Sequence, residues 1–291
     1  MISYDPVYNT FFGEWEYGDP VPQIMWHITD VCLLGCPFCF AHKTNLSVDA
    51  TEIIRLCSFL AELNVLKIDI AGGEPLTYKH LPWIVEELDK RNIHKTITTS
   101  GTGTNANKTF ILNNHSLFSR IIMSLDSPTQ EKHNSIRKSK SAWQDLMKLL
   151  DRLPPKERTQ KVRINTVVTR GFVLENSIDV MVEVVRDLNV REWCLIQPHP
   201  ANAKAEFYQH DITNEDFYKI VEQAKSKLGD TLAVLSRPTT LYSSYWVLHP
   251  DNILSKHTYS EQDDVRIDLN SVGVQAVLDK MKAHRFVLPR Q

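Results

Sequence analysis

Cysteine is scarce in this 291-residue chain: there are five, and none follows Cys194. That scarcity excludes a disulfide-stapled secreted scaffold, and free thiols suit a reducing compartment. An excess of charge of one sign is missing too, since 33 Lys and Arg stand against 35 Asp and Glu for a net charge of −2. Such a balance gives no electrostatic footprint for a nucleic-acid polymer, although a local basic pocket stays open. No apolar run approaches the length of a membrane span, and the opening MISYDPVYNTFFGEWEYG has neither the basic start nor the apolar block of a signal peptide. The expectation is a cytoplasmic protein with no membrane partner. Hydrophobic residues make up 42% of the chain, enough for a sizeable core in one large domain or in one domain with an appendage.

What is present is a concentration of the scarce residue. Three of the five cysteines fall within CLLGCPFC, at Cys32, Cys36 and Cys39. A disulfide would pair two and strand the third, so an inorganic centre is the better reading. Structural zinc normally takes four ligands, and no second CxxC or HxxxH follows at finger spacing to complete the set. A [4Fe–4S] cluster held by three cysteines keeps one iron open. Zinc and cluster both stand at this point.

Short aliphatic or β-branched runs alternate with helix-length amphipathic segments, the rhythm of βα units. The strands expected are IMWHIT (24–29), KIDIA (67–71), TITTS (96–100), RIIMSLD (120–126), VRINTVV (162–168) and WCLIQP (193–198). Right-handed crossovers between six such units give a parallel sheet curving into a partial (β/α)6 barrel of α/β class, with functional groups at the C-terminal strand ends. The cysteine loop follows the first strand and so sits at that rim. AGGEP (71–75) follows the second: its glycines allow close backbone approach, its carboxylate can accept from an ammonium group, and its proline stiffens the exit. Cys57 lies on the apolar stripe of the intervening helix, as a small core residue.

CxxxCxxC with Phe38 before the last cysteine, followed one βα unit later by GGEP, resembles the radical S-adenosylmethionine superfamily. The resemblance implies a [4Fe–4S] cluster on Cys32, Cys36 and Cys39, with S-adenosyl-L-methionine on the open iron, Phe38 near its adenine, and the backbone of Gly72, Gly73 and Glu74 meeting its amino group. It further implies reductive cleavage to a 5′-deoxyadenosyl radical and an electron donor of flavodoxin or ferredoxin type. Ser124, Asp126, Asn165 and Gln197 are the remaining candidates for cofactor binding, each at a strand end. TTSGT (98–102) stands where relatives carry a TNG-like turn, and its asparagine is missing.

Three segments follow from the pattern: an N-terminal extension over 1–21, the barrel over 22–200, and a C-terminal α+β extension over 201–291 that caps the barrel and selects the substrate. The last lacks cysteine for an auxiliary cluster; it contains a capped helix at 213–229, a strand in TLAVLS, a hairpin at HPDN and a helix in VGVQAVLDKM. Within the family the likeness runs to the viperin-like, nucleotide-modifying branch, through Lys67 ahead of GGEP, RINTVVTR, and a SYWVL-plus-VGV pattern. Lys67, Arg163 and Arg170 are accordingly candidate phosphate contacts on a small-molecule, nucleotide or sugar-like substrate. The sixth strand of that branch offers basic side chains toward the nucleotide, whereas this one reads REWCLIQ. Alternation turns Cys194 into the barrel, which opens a second branch: modification or epimerisation of a peptide or natural-product intermediate with Cys194 as hydrogen donor. A non-catalytic zinc- or cluster-stabilised binding protein is the reading of another class.

Overall fold

The computed structural model describes residues 2–5, 10–39, 41, 44–200, 205–239, 246–256, 264–284 and 287–288. The chain opens with a hairpin, β1 (Ile2–Asp5) and β2 (Thr10–Glu14), and enters the main sheet at β3 (Ile24–Thr29). The units α1 (Ile53–Glu62) and β4 (Lys67–Gly72), α2 (Leu81–Lys90) and β5 (His94–Thr99), and α3 (Asn105–Asn113) and β6 (Arg120–Ser124) follow. Three helices, α4 (Gln130–Arg137), α5 (Ala142–Arg152) and α6 (Pro155–Lys161), lead to β7 (Val162–Val167), and α7 (Arg170–Leu174) and α8 (Ile178–Asp187) lead to β8 (Glu192–Ile196). The remainder comprises α9 (Asn214–Leu228), β9 (Ala233–Arg237), β10 (Trp246–Leu248), β11 (Ile253–Lys256), β12 (Val265–Asp268), α10 (Val274–Ala283) and β13 (Val287–Leu288).

Local chemistry explains the repeated unit. In α1 the buried positions are Ile53, Leu56, Cys57 and Leu60, a stripe at helical spacing that faces the sheet. Asn64, Asn92 and Asn189 each take a positive φ just beyond α1, α2 and α8, so the short polar side chain closes the helix in the left-handed conformation before the next strand begins. The strands themselves are buried almost throughout, as parallel strands covered on both faces must be.

The six expected strands pair in parallel and in order from β3 to β8. The segment after 200 then lengthens the sheet at both edges. β9 adds in parallel beside β8, while β10 adds in parallel beside β3 and continues into the antiparallel β11 and β12. The HPDN hairpin is therefore present between β10 and β11; Ser244 and Tyr245 of the SYWVL pattern lie outside the described residues. A separate three-stranded sheet, β1–β2–β13, lies at the N-terminal end of the barrel, where Phe11 approaches the Lys67 ammonium at 5.7 Å from its ring centroid.

Candidate active site

The ten-stranded sheet curls until its two parallel edge strands look onto one cavity of about 260 Å³, with Met25 and His27 of β3, Val247 of β10 with His249 just beyond it, and Arg237 of β9 among its walls. Alternation sets which side chains face inward. In register across the sheet, Ser124 stands beside Asn165, Asn165 beside Cys194, and Ile196 beside Arg237.

The cysteine loop forms the mouth of the cavity. Cys32, Cys36 and Cys39 all line it, and all three are half-buried free thiols. Burial pushes the Cys32 thiol up to about 11, with Glu74, Cys36 and Cys39 adding to the rise against an opposing Leu34 N–H. The Cys36 thiol is raised by burial as well, with Arg137 acting against it. Among the described residues no three His, Cys, Asp or Glu side chains close on a single ion. A four-iron cluster does not require that, since each cysteine binds a different iron. Phe38 is buried in the same wall, edge-on to His210 at 6.3 Å.

Behind the loop stands a residue that the sequence reading passed over. Arg137, the last residue of α4, donates to Cys36 Sγ at 3.6 Å, pairs with Asp126 at 2.5 Å, and lies 6.0 Å from the Phe38 ring centroid. Burial opposes its charge, yet Asp126 and Cys36 hold the guanidinium above its ordinary range. Its carbonyl also accepts from Gly35 N at 3.0 Å, so α4 fixes the loop through backbone as well as side chain. Asp126 thus serves this ion pair and the Val167 N–H, at 3.0 Å, while its own N–H donates to His133 Nδ1 at 3.2 Å. A signal was available: His133 and Arg137 are four residues apart, on one helix face, directly after the SLD strand end.

The GGEP turn lines the cavity through Gly72, Gly73 and Glu74 and also packs against the cysteine loop. A Cβ on Gly72 would lie 2.1 Å from Thr29 O, and one on Gly73 would lie 2.4 Å from Val31 O. Gly73 N donates to Thr29 O at 2.6 Å and Glu74 N to Val31 O at 2.8 Å. The glycines are required for contact with the backbone that leads into the cysteine loop. Glu74 is almost wholly enclosed, and its carboxylate accepts from Thr99 Oγ1 at 2.5 Å, from Ser100 N at 2.7 Å and Oγ at 2.5 Å, and from Leu76 N at 3.1 Å. The Glu74 carboxylate thus acts as a clamp joining two strand ends. The Thr99–Ser100 pair, where the TNG-like turn was missing, supplies its donors.

The other expected positions separate. Ser124 and Asn165 line the cavity, and Asn165 Oδ1 is buried without a partner among the described residues. Gln197 also borders it, but its amide is engaged: Nε2 donates to Asn214 Oδ1 at 2.9 Å and Oε1 accepts from Thr239 N at 3.1 Å. Lys67 and Arg163 come together, but at the N-terminal ends of β4 and β7, beneath the cavity rather than at its rim, because they are the first residue of β4 and the second of β7. There Arg163 Nε and Arg120 Nε share Glu192 Oε1 at 2.7 and 2.8 Å, and Thr96 hydrogen-bonds Asp69. Arg170 is the correction: it begins α7, is exposed, and donates to Asp211 O at 3.3 Å outside the cavity walls. Cys194 faces inward yet is fully buried one pleat below Ile196 and does not line the cavity. Its thiol is pushed up by burial.

Besides Arg137, the cavity residues His27, His249 and Arg237 had no place in the sequence reading. His27 and His249 stand edge to face at 5.5 Å on the β3–β10 side, with His249 Nε2 hydrogen-bonded to Ser255 Oγ at 2.7 Å. Arg237 is on the β9 side. Alternation along IMWHIT could have flagged His27; the other two depend on which strands become the edges.

The sequence pattern described as the Radical SAM superfamily matches residues 26–181, just over half of the chain. The chain is similar to an S-adenosylmethionine-dependent nucleotide dehydratase from Flammeovirga pacifica, 25% identical over 90% of this chain and 91% of that one. It is similar also to GTP 3′,8-cyclase from Chlorobaculum tepidum, 26% identical over 77% of this chain and 66% of the relative. The solved structure of native anSMEcpe with bound AdoMet and Cp18Cys peptide matches at a TM-score of 0.72 over 92% of this chain and 83% of that one, at 15% identity, a likeness of fold.

Proposed function

Because the chain belongs to the radical SAM superfamily and uses the [4Fe–4S] cluster and S-adenosylmethionine of that family, we propose that Cys32, Cys36 and Cys39 hold the cluster and that the enzyme acts on a nucleotide-class metabolite in the cavity beneath it. When bound, the cluster and cofactor supply one-electron cleavage of a carbon–sulfur bond and abstraction of a substrate hydrogen. The chain's residues position and enclose. Phe38, Ser124 and Asn165 are disposed along the cofactor side, Glu74 fixes the turn between strand ends, and Arg137 with Asp126 braces the loop. Because a carbon radical attacks almost any nearby C–H bond, this fixed geometry decides which bond reacts.

The observation carrying the substrate class is the end-to-end similarity to the Flammeovirga pacifica nucleotide dehydratase. The enclosed cavity is in keeping with a small molecule. Cys194 lies beneath the cavity wall, so the branch that uses it as hydrogen donor gains no support.

The test is an anaerobic assay of 5′-deoxyadenosine formation by reconstituted enzyme against nucleoside mono-, di- and triphosphates and sugar nucleotides. One nucleotide should raise formation selectively above the uncoupled rate, and alanine at Cys32, Cys36 or Cys39 should abolish it. Full cleavage by the triple-alanine protein would remove the cluster assignment; a panel without effect, alongside a stimulating peptide, would remove the substrate class.

A further inference from the structure

Two fixed charges of opposite sign stand behind Cys36. Arg137 Nη1 donates to Cys36 Sγ at 3.6 Å, while its Nη2 lies 2.5 Å from Asp126 Oδ2. Both side chains are buried, and the guanidinium lies 6.0 Å from the Phe38 ring centroid. Asp126 Oδ1 accepts from Val167 N at 3.0 Å, which ties the carboxylate to the end of β7. His133 accepts the Asp126 N–H on Nδ1, and burial lowers it to about 4, so this neighbour adds no charge at neutral pH. Outward from the sulfur the order is cation first, anion second. The brace on the loop has a separate route, since the Arg137 carbonyl accepts from Gly35 N at 3.0 Å whatever the side chain does.

Hydrogen bonds to the sulfurs of an iron–sulfur cluster, together with nearby charge, set its reduction potential. A cationic donor on a ligand sulfur withdraws electron density from iron and favours the reduced, more negative state. A fixed anion opposes it, and in a low-dielectric wall neither is well screened. Building on the reading that Cys36 is a cluster ligand, we infer that Arg137 is a positioning residue that raises the cluster's reduction potential through Cys36, and that Asp126 holds the guanidinium there while limiting the rise. A lone guanidinium would ease electron uptake from a donor and weaken electron delivery to the sulfonium. The paired one holds a value between those extremes.

The experiment is an anaerobic redox titration of the cluster-loaded enzyme without S-adenosylmethionine, followed by the electron paramagnetic resonance signal of the reduced cluster. The signal is expressed per assembled cluster, so a fall in iron content does not enter. Arg137→Gln should lower the midpoint by about 59 mV or more, a tenfold change in a one-electron equilibrium. Asp126→Asn should raise it. Arg137→Lys, which keeps the charge, should fall between Arg137→Gln and the parent. Lys138→Gln removes a half-exposed cation paired with Glu206 at 2.9 Å on the adjoining residue, and should move the midpoint far less. Shifts of one sign in both Arg137→Gln and Asp126→Asn, as a merely loosened loop would give, would overturn the inference. So would an unmoved midpoint in Arg137→Gln or an equal shift in Lys138→Gln. If Arg137→Gln does not fold, Asp126→Asn decides: a raised midpoint supports the pair, and an unmoved or lowered one refutes it. A Cys36→Ala protein that assembles the parent's full cluster would instead remove the ligand reading itself, before any potential is measured.

Discussion

At the scale of single residues, buried charge governs what can be changed. Arg137 and Asp126 are both enclosed, and removing one partner leaves the other charged in a low-dielectric wall. Arg137→Met should cost about 3–5 kcal/mol in denaturant unfolding, as for other broken buried pairs, and should lower iron content because Cys36 loses its side-chain brace. The double change Arg137→Met with Asp126→Asn should recover part of the stability. Lys67 gives a pH prediction. Its folded pKa of about 8 lies below the ordinary 10.5, so between those values the unfolded chain binds more protons than the folded one. Stability relative to Lys67→Met should therefore rise across pH 8 to 10.5, by at most about 3 kcal/mol, and be level below pH 8. A flat difference in urea midpoints over that window would contradict the burial of a titrating ammonium.

At the scale of elements, the turn after β4 and the loop after β3 are one unit. The Gly72 and Gly73 positions touch Thr29 and Val31 backbone, so Gly73→Ala must displace the path into Cys32. Iron and sulfide per chain should fall together with S-adenosylmethionine affinity, measured on anaerobically reconstituted protein. Gly171→Ala in α7 is the control. Its Cβ would meet nothing nearer than Thr169 Oγ1 at 3.8 Å, and cluster content should be that of the parent. A Gly73→Ala protein with full cluster but weakened cofactor binding would return the glycines to the ligand-approach role. At α9 the Thr213 hydroxyl accepts from Asp216 N at 3.0 Å, and Thr213→Ala should cost about 1 kcal/mol in the same unfolding assay.

At the scale of the molecule, part of the cavity wall is built by the two strands that flank the six-strand unit on either side. β9 and β10 belong to the segment after residue 200, yet they cover β8 and β3, the edges of the six-strand unit. A chain ending at 200 would expose both of those edge strands with their apolar flanks, among them Trp26 and Trp193, which are fully buried. It should be recovered as aggregate, whereas the full chain elutes as a discrete species on size-exclusion chromatography. A monodisperse 1–200 fragment would show that the six units stand alone. Among the described residues no helix is long and apolar enough to cross a membrane.

Local pattern by itself determined a great deal here. Strand positions, the helices between them and the place of CLLGCPFC at a strand end are properties of neighbouring residues, set by apolar periodicity and cap chemistry within a few positions. The pairing of that motif with GGEP also survives as contact, since consecutive parallel strands are adjacent. Tertiary structure decided the rest, for physical reasons of direction and depth. Lys67, Arg163 and Arg170 read as candidate phosphate contacts; the sheet put Lys67 and Arg163, the first residue of β4 and the second of β7, at its floor, and α7 turned Arg170 to solvent. The donors to the Glu74 carboxylate, three from Thr99 and Ser100 and one from Leu76 N, likewise became visible only once β4 and β5 lay side by side. His27, His249 and Arg237 come from strands far apart in sequence, and only the curl of the sheet, with β9 and β10 at its opposite parallel edges, gives them a common cavity.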